Sequence, residues 1–443
     1  MIFSIDKQTL EELNLLGKFR NGSVYSIFSH TQTSGGERLL NDMFRHPLTD
    51  AGAINQRSRI FQFFQQAHLK FPFDAQQVTL MREYLDTKTS SYPVVVFANN
   101  VIKKMLSSLV RDDQFKKNVQ GLQATIMTLN KCFEWMQSLA LSGGPFDERI
   151  IEMKRILTDR QIEKVRNTDI YQSLTIGTLT LYDTVLKGKL HQQMEAVLSF
   201  IYEIDVHIAV SEVAEKRGFH YAKALPPEAN VLSATDLFHP CVSNAVGNSL
   251  QMDQSKNVLF LTGANMAGKS TLMKAIGVNL YLAHMGFPVA AGNMRCSVRE
   301  GLYTSINVAD NIGMGYSHFY AEVVRVKRAA EATAAGKRLL LMFDELFKGT
   351  NVKDAFDGTL AVTEGFSDYR ACLFIVSTHI IEVGEALKGR SNIHFTYMPT
   401  VMEGVHPRYT YQLKEGITED RQGMMIIKNE GILDMLYTAP LQQ

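Results

Sequence analysis

Leu261-Thr262-Gly263-Ala264-Asn265-Met266-Ala267-Gly268-Lys269-Ser270-Thr271 is the stretch that decides the architecture of this 443-residue chain. It follows the apolar run Val258-Leu259-Phe260 and leads into a helical pattern that opens near Lys269. Gly263 to Ser270 fits G-x-x-x-x-G-K-[ST], a strand–loop–helix device for holding phosphate. Glycines let backbone N–H groups curl around phosphate oxygens, and the helix N-terminus adds partial positive charge. Lys269 is expected to reach the β- and γ-phosphates of ATP, and the Ser270 hydroxyl to complete a Mg²⁺ shell. The bland alternative, a glycine turn beside a surface lysine, does not explain the flanking strand and helix.

Two more apolar runs lie downstream. Leu339-Leu340-Leu341-Met342-Phe343 ends in Asp344-Glu345, and Cys372-Leu373-Phe374-Ile375-Val376 ends in Ser377-Thr378-His379. Continuous apolar runs separated by helical patterns predict parallel strands buried on both faces. Ligands of open α/β sheets bind at the carboxyl ends of the strands, where all three polar motifs fall. Asp344 is thus a candidate to hold the metal through water, Glu345 a candidate general base, and His379 a candidate γ-phosphate contact. The alternatives are a solvated acid pair and a structural histidine.

The first half reads as helical. Amphipathic stretches run over Ile54–Gln66 (opened by Thr49 or Asp50), about 112–141, about 147–166 and about 187–217. In the last, Leu190, Met194, Val197, Ile201, Ile204 and Ile208 recur at spacings of four and three. Such a seam lies on one face of a helix ~40 Å long at 1.5 Å per residue. The composition shifts at Gly218, and Pro226-Pro227 marks a boundary. The predicted fold is multidomain, α and α/β: a helical core or lever domain over 1–220, then a P-loop ATPase domain with a mostly parallel sheet over 221–443.

Composition narrows the class. Hydrophobic residues make up 45% and charged residues 21%, the balance of a globular chain, and net charge is +1. A protein living on phosphate contacts alone would be more basic, so any DNA-binding surface must be local. No apolar run reaches the length of a membrane helix and no secretory signal opens the chain, which predicts a cytoplasmic protein without membrane contact. Cys132, Cys241, Cys296 and Cys372 form no C-x-x-C pair and read as small buried hydrophobes.

These motifs resemble those of the MutS family of DNA mismatch-repair ATPases. The loop is similar to the family's TGPNMGGKST, with Asn265 and Met266 the most specific positions. Asp310-Asn311 and then Gly315-Tyr316-Ser317-His318-Phe319-Tyr320-Ala321-Glu322 resemble GRSTFMVE. Met342 to Asn351 resembles MDEIGRGTS, with Asp357-Gly358 behind it, and Ser377-Thr378-His379 resembles ATH. Phe238-His239-Pro240 is similar to RHP. In the first half, Ser29 to Leu40 with Pro47-Leu48, and later Asp205 to Ala214, resemble the start and return of the MutS helical core. Tyr316, His318 and Lys348 depart from the family's residues, as does Ala267, which is mild if its φ is negative.

The resemblance implies a head-to-tail homodimer in which Ser317 contacts the γ-phosphate held by the partner; an ordinary N-cap is the other reading of Ser317. It also implies ATP binding and hydrolysis that drive dimer and lever movements on DNA, in mismatch repair or related DNA maintenance. The chain begins at the core, so the amino-terminal mismatch reader is expected to be absent. The stretch from Thr33 to Gly263 looks short for a full DNA clamp, and no room is left for a nuclease-like domain after Asp420-Arg421-Gln422-Gly423. DNA recognition is therefore expected to follow structure rather than sequence. A nucleotide-gated assembly factor acting on a ribosome or a repair protein is the alternative.

Overall fold

The three apolar runs become neighbouring strands of one sheet. The computed structural model describes residues 2–17, 22–87, 93–109, 114–139, 143–170, 172, 174–306, 318–403, 406–418 and 431–438. The sheet has seven strands: β1 (Ser4–Ile5), β2 (Val258–Gly263), β3 (Gly301–Ser305), β4 (Leu339–Asp344), β5 (Leu373–Ser377), β6 (Ile393–Met398) and β7 (Lys414–Glu415). Their spatial order is β1-β3-β4-β5-β2-β6-β7. Every neighbouring pair is parallel except β6 and β7. All residues of β2 and β5 are buried, as continuous apolar runs demand when helices cover both faces. A four-stranded sheet is formed by Lys223–Leu225, Asn293–Ser297, Leu232–Leu237 and Asn248–Met252, in that order.

The chain forms two compact units that are discontinuous in sequence: Met1–Ile27, Phe44–Ser58 and Lys216–Gln443 in one, and Phe28–Met43 and Arg59–Glu215 in the other. Two early segments thus belong to the unit that holds the seven-stranded sheet, the nucleotide unit in the expectation above. The first supplies β1, paired with Gly301 and Leu302. The second is held by reciprocal hydrogen bonds between Asn55 and the Ala224 backbone, each 2.9 Å, and by Ser58 donating to the Gly286 carbonyl at 3.0 Å. A two-residue strand and single side-chain contacts leave no periodic trace, so sequence pattern alone assigns these segments to the helical half.

The other unit is helical, and its seam residues Leu190, Met194, Val197, Ile201, Ile204 and Ile208 are all buried in one core. The helix carrying all of them but Leu190, which directly precedes it, is His191–Arg217, 27 residues and so ~40 Å long. It starts later than expected, because Val185–Lys189 is a π-turn. The stretch expected as one helix over 147–166 is two, Asp147–Leu157 and Arg160–Arg166. Asp159 divides them by capping the second, accepting from Gln161 N at 2.8 Å. The helix Ala51–Gln66 is capped as anticipated, Asp50 accepting from Ala53 N at 2.7 Å. Cys132, Cys296 and Cys372 are buried and Cys241 is partly so, all as free thiols. Among the described residues no helix is long and apolar enough to cross a membrane.

Candidate nucleotide site

At the carboxyl end of β2 the backbone turns through left-handed conformations at Gly263 (φ 139°), Met266 (70°) and Gly268 (102°). A Cβ on Gly263 would lie 2.9 Å from the Met398 carbonyl oxygen, and one on Gly268 would lie 3.0 Å from the Tyr411 ring. Both glycines are therefore required by conformation and by space. Ala267 is not among the positive-φ residues, so its methyl group is tolerated where the family motif has glycine. The helix Lys269–His284 starts directly after Gly268.

Lys269 is buried, and its ammonium donates to the carbonyls of Gly263 (2.8 Å) and Ala264 (3.1 Å). Burial pulls its pKa below the ordinary lysine value, with Asp344 and Glu345 opposing that shift. Ser270 Oγ donates to Asp344 Oδ2. The other oxygen, Asp344 Oδ1, is buried and has no hydrogen-bond partner. Burial pushes the Asp344 carboxyl up, against the hydrogen bond from Ser270. A buried carboxylate oxygen without a donor is costly by itself. Together with the Ser270 hydroxyl it makes a pair of hard oxygen ligands of the kind magnesium takes, so these residues fit that ion.

Glu345 sits at φ 53°, its N–H held by the Ser377 carbonyl at 2.8 Å. Its carboxylate lies 3.6 Å from His379 Nδ1 and 3.9 Å from Lys348 Nζ. The His379 contact holds the Glu345 carboxyl below the usual glutamate range, and Glu345 in turn raises the His379 imidazole above its ordinary value. Adjacent strands thus bring the acid pair and the histidine together, at the end of the sheet where the loop lies.

A cavity of about 740 Å³ opens over these groups, lined by the loop from Ala264 to Thr271 apart from Ala267, and by Asp344, Glu345 and Lys348. His379 does not line it and meets it only through Glu345. Sequence reasoning missed other residues of the lining, among them Val242, Val246, Ile306, Met398 and Tyr411. Asn248 fixes part of that lining, donating to the Tyr411 carbonyl at 2.9 Å and accepting from Leu413 N at 2.7 Å. Of the upstream motif, Phe238 and His239 line the cavity. Burial and Lys274 lower the His239 pKa to about 4, and its neutral Nδ1 accepts from Cys241 N at 3.2 Å. Ser317, with Asp310, Asn311, Gly315 and Tyr316, lies outside the described residues.

A glycine loop between a buried parallel strand and a helix, with an acid pair on a nearby strand, is the arrangement of the P-loop class. Here that unit is joined to a second, helical one. The chain belongs to the MutS family: the model of MutS domain III matches residues 8–211 and that of MutS domain V matches residues 259–439. It is 22% identical to the DNA mismatch repair protein MutS of Pseudothermotoga lettingae, over 98% of this chain and 63% of that protein. The proteins of the same name from Streptococcus gordonii (25% identical, 95% of this chain, 60% of that one) and Streptococcus pyogenes (22%, 93% and 59%) are similar. The chain thus spans about three fifths of the length of the curated relatives it matches. MutS family proteins are ATPases that bind ATP, usually with Mg²⁺.

Proposed function

We propose that this chain binds ATP with Mg²⁺, hydrolyses it to ADP and phosphate, and uses turnover to drive a homodimer and its helical levers on DNA, in mismatch repair or related DNA maintenance. The observation that carries this reading is the meeting of the Gly263–Thr271 loop with the partnerless Asp344 oxygen and the ionised Glu345 in one cavity. In it, Lys269 exchanges the loop carbonyls for β- and γ-phosphate oxygens, and the loop's N–H groups supply the remaining donors. Ser270 and Asp344 would hold the ion, which would supply charge neutralisation on the phosphates. Glu345, its carboxyl held below the usual glutamate range by His379, takes the proton of the attacking water while His379 holds the carboxylate in place. The apolar wall of Val242, Val246, Met266 and Tyr411 suits the flat face of a purine. Ser317 is assigned to the partner's phosphate on the family likeness.

The DNA half of the proposal is tested by titrating matched duplex, duplex with a G·T mismatch and branched DNA at two salt concentrations, with and without ATP. The expected outcome is binding that weakens steeply with salt, since phosphate contacts release counterions, and that shifts when ATP is added. Branched DNA is expected to bind at least as well as either duplex. Affinity for none of the three at low salt would overturn the DNA assignment and leave the nucleotide site untouched.

A further inference from the structure

The amino-terminal residues, which the family match places in domain III from residue 8 onward, are seated on the nucleotide unit by a polar clasp. Asp6 caps the helix Lys7–Glu12 by accepting from Thr9 N at 2.8 Å. The same carboxylate receives both terminal nitrogens of Arg325, at 2.7 and 3.2 Å. Arg325 is buried, also donates to Thr9 Oγ1 at 3.0 Å, and reaches the Thr304 carbonyl at the end of β3. Thr9 Oγ1 accepts from Thr304 N at 3.1 Å. Glu12 completes the set: its Oε2 accepts from the Thr304 hydroxyl and from Ile306 N at 3.1 Å, and its Oε1 from Gln8 at 2.7 Å. Burial pushes the Asp6 carboxyl up, but Arg325 and Thr9 outweigh it and leave the group below the usual range, as a firmly ionised partner.

Ile306 is the point of the arrangement. It lines the nucleotide cavity together with Asp344 and Glu345, and it directly follows β3, which pairs with β4, the strand that ends in Asp344. Its backbone N–H has an acceptor in Glu12, a residue more than 250 positions from the phosphate loop. We infer that Glu12 and Asp6 are positioning residues of the nucleotide site, holding the end of β3 and the Ile306 wall in register with the acid pair at the end of β4. The inference rests on the ATPase reading above. A bidentate Arg–carboxylate pair that is also hydrogen-bonded to buried groups fixes geometry, not only energy. Small displacements of groups around a reacting phosphate cost rate before they cost affinity.

Glu12→Ala strands the Ile306 N–H and frees the wall. The expected result is a kcat lowered ~tenfold, with the equilibrium Kd for ATP within about twofold of wild type, and faster hydrogen exchange at Ile306 and Thr304. Glu12→Gln keeps one acceptor oxygen and is expected to recover most of kcat. Glu11→Ala, on the exposed side of the same helix, is the control and behaves as wild type. If Glu12→Ala fails to fold, Thr304→Val, which removes only the hydroxyl donor, decides the matter by the same split of kcat from Kd. Unchanged kcat despite faster exchange at Ile306 would show the clasp to be purely structural. A Kd that rises in step with the fall in kcat would also overturn the inference. Wild-type turnover separates the two ideas. Its absence condemns the ATPase reading, whereas its presence with unaltered variants condemns the clasp alone.

Discussion

Asp205 and Asp183 of the helical unit are treated differently from Asp344 of the nucleotide unit. The first two are met by donors or a cation of their own unit. Asp205 accepts from Gln32 N (2.9 Å), Thr33 N (2.8 Å) and Thr33 Oγ1 (2.7 Å), closing the start of the helix Ser34–Arg45 from 172 residues away. Lys187 lies 3.1 Å from Asp183 and 2.9 Å from Asn118 Oδ1, while Asn100 and Asn118 both donate to Asp183. Around the nucleotide cavity the groups are left with capacity to spare: Asp344 Oδ1 has no donor, and Lys269 rests on carbonyls that other donors could serve. The contrast teaches where ligand chemistry can enter. A polar set that satisfies itself specifies a fold, whereas a buried carboxylate oxygen left without a donor beside a cavity offers a place for a ligand.

The comparison breaks if the two sets respond alike to truncation. Lys269→Ala should give the largest effect, a loss of ATP affinity of at least ~100-fold, because a buried charge facing two phosphates is worth several hydrogen bonds. Its effect on folding should stay below about 1 kcal/mol, since burial already disfavours the ammonium. Calorimetric ATP titration and denaturant unfolding check both halves.

Asp205→Ala should do the reverse, costing ~3 kcal/mol by stranding three donors while leaving ATP affinity unchanged. Burial raises the Asp205 pKa, so the folded state holds that proton more tightly than the unfolded chain does. Its contribution to stability is therefore greatest in acid and falls as pH rises through the carboxylate range toward the raised folded pKa. The alanine variant should lose that slope, which unfolding measured from pH 3 to pH 6 would show.

The smallest effect concerns His379. Its contact with Glu345 raises the imidazole pKa, so the stabilisation is complete below the unfolded value, near 6.5, and is lost as pH climbs through the raised folded value. An NMR titration of the ring should report a pKa above 6.5 that drops toward the free value in Glu345→Gln. A titration unaffected by the substitution would remove His379 from its assigned place.

Much of the site was legible in the sequence because a phosphate loop needs glycines at fixed offsets, and because a buried strand must end where its acids begin. Gly263, Gly268, Lys269, Asp344 and Glu345 stand in contiguous motifs for that reason. Tyr411 and Met398 gave no signal: Met398 reaches Gly263 only because β6 pairs with β2, and Tyr411 is carried there by the chain that follows. The seam of the His191–Arg217 helix was readable from its period. The break at Asp159 was passed over although an aspartate before a helical run is a capping signal. Asp6 and Glu12 were invisible for a different reason: their partners Arg325, Thr304 and Ile306 lie about 300 residues away, and only the pairing of β1 with β3 brings them together.

The central claim is that the Gly263–Thr271 loop and the Asp344–Glu345 pair form one hydrolytic site, with Glu345 as its base. The most direct measurement compares equilibrium ATP binding and steady-state phosphate release in wild type and Glu345→Gln. The account predicts ATP affinity within about threefold of wild type and phosphate release reduced by at least ~100-fold, because the side chain keeps its shape and loses only its proton-accepting charge. Phosphate release at the wild-type rate by Glu345→Gln would contradict it.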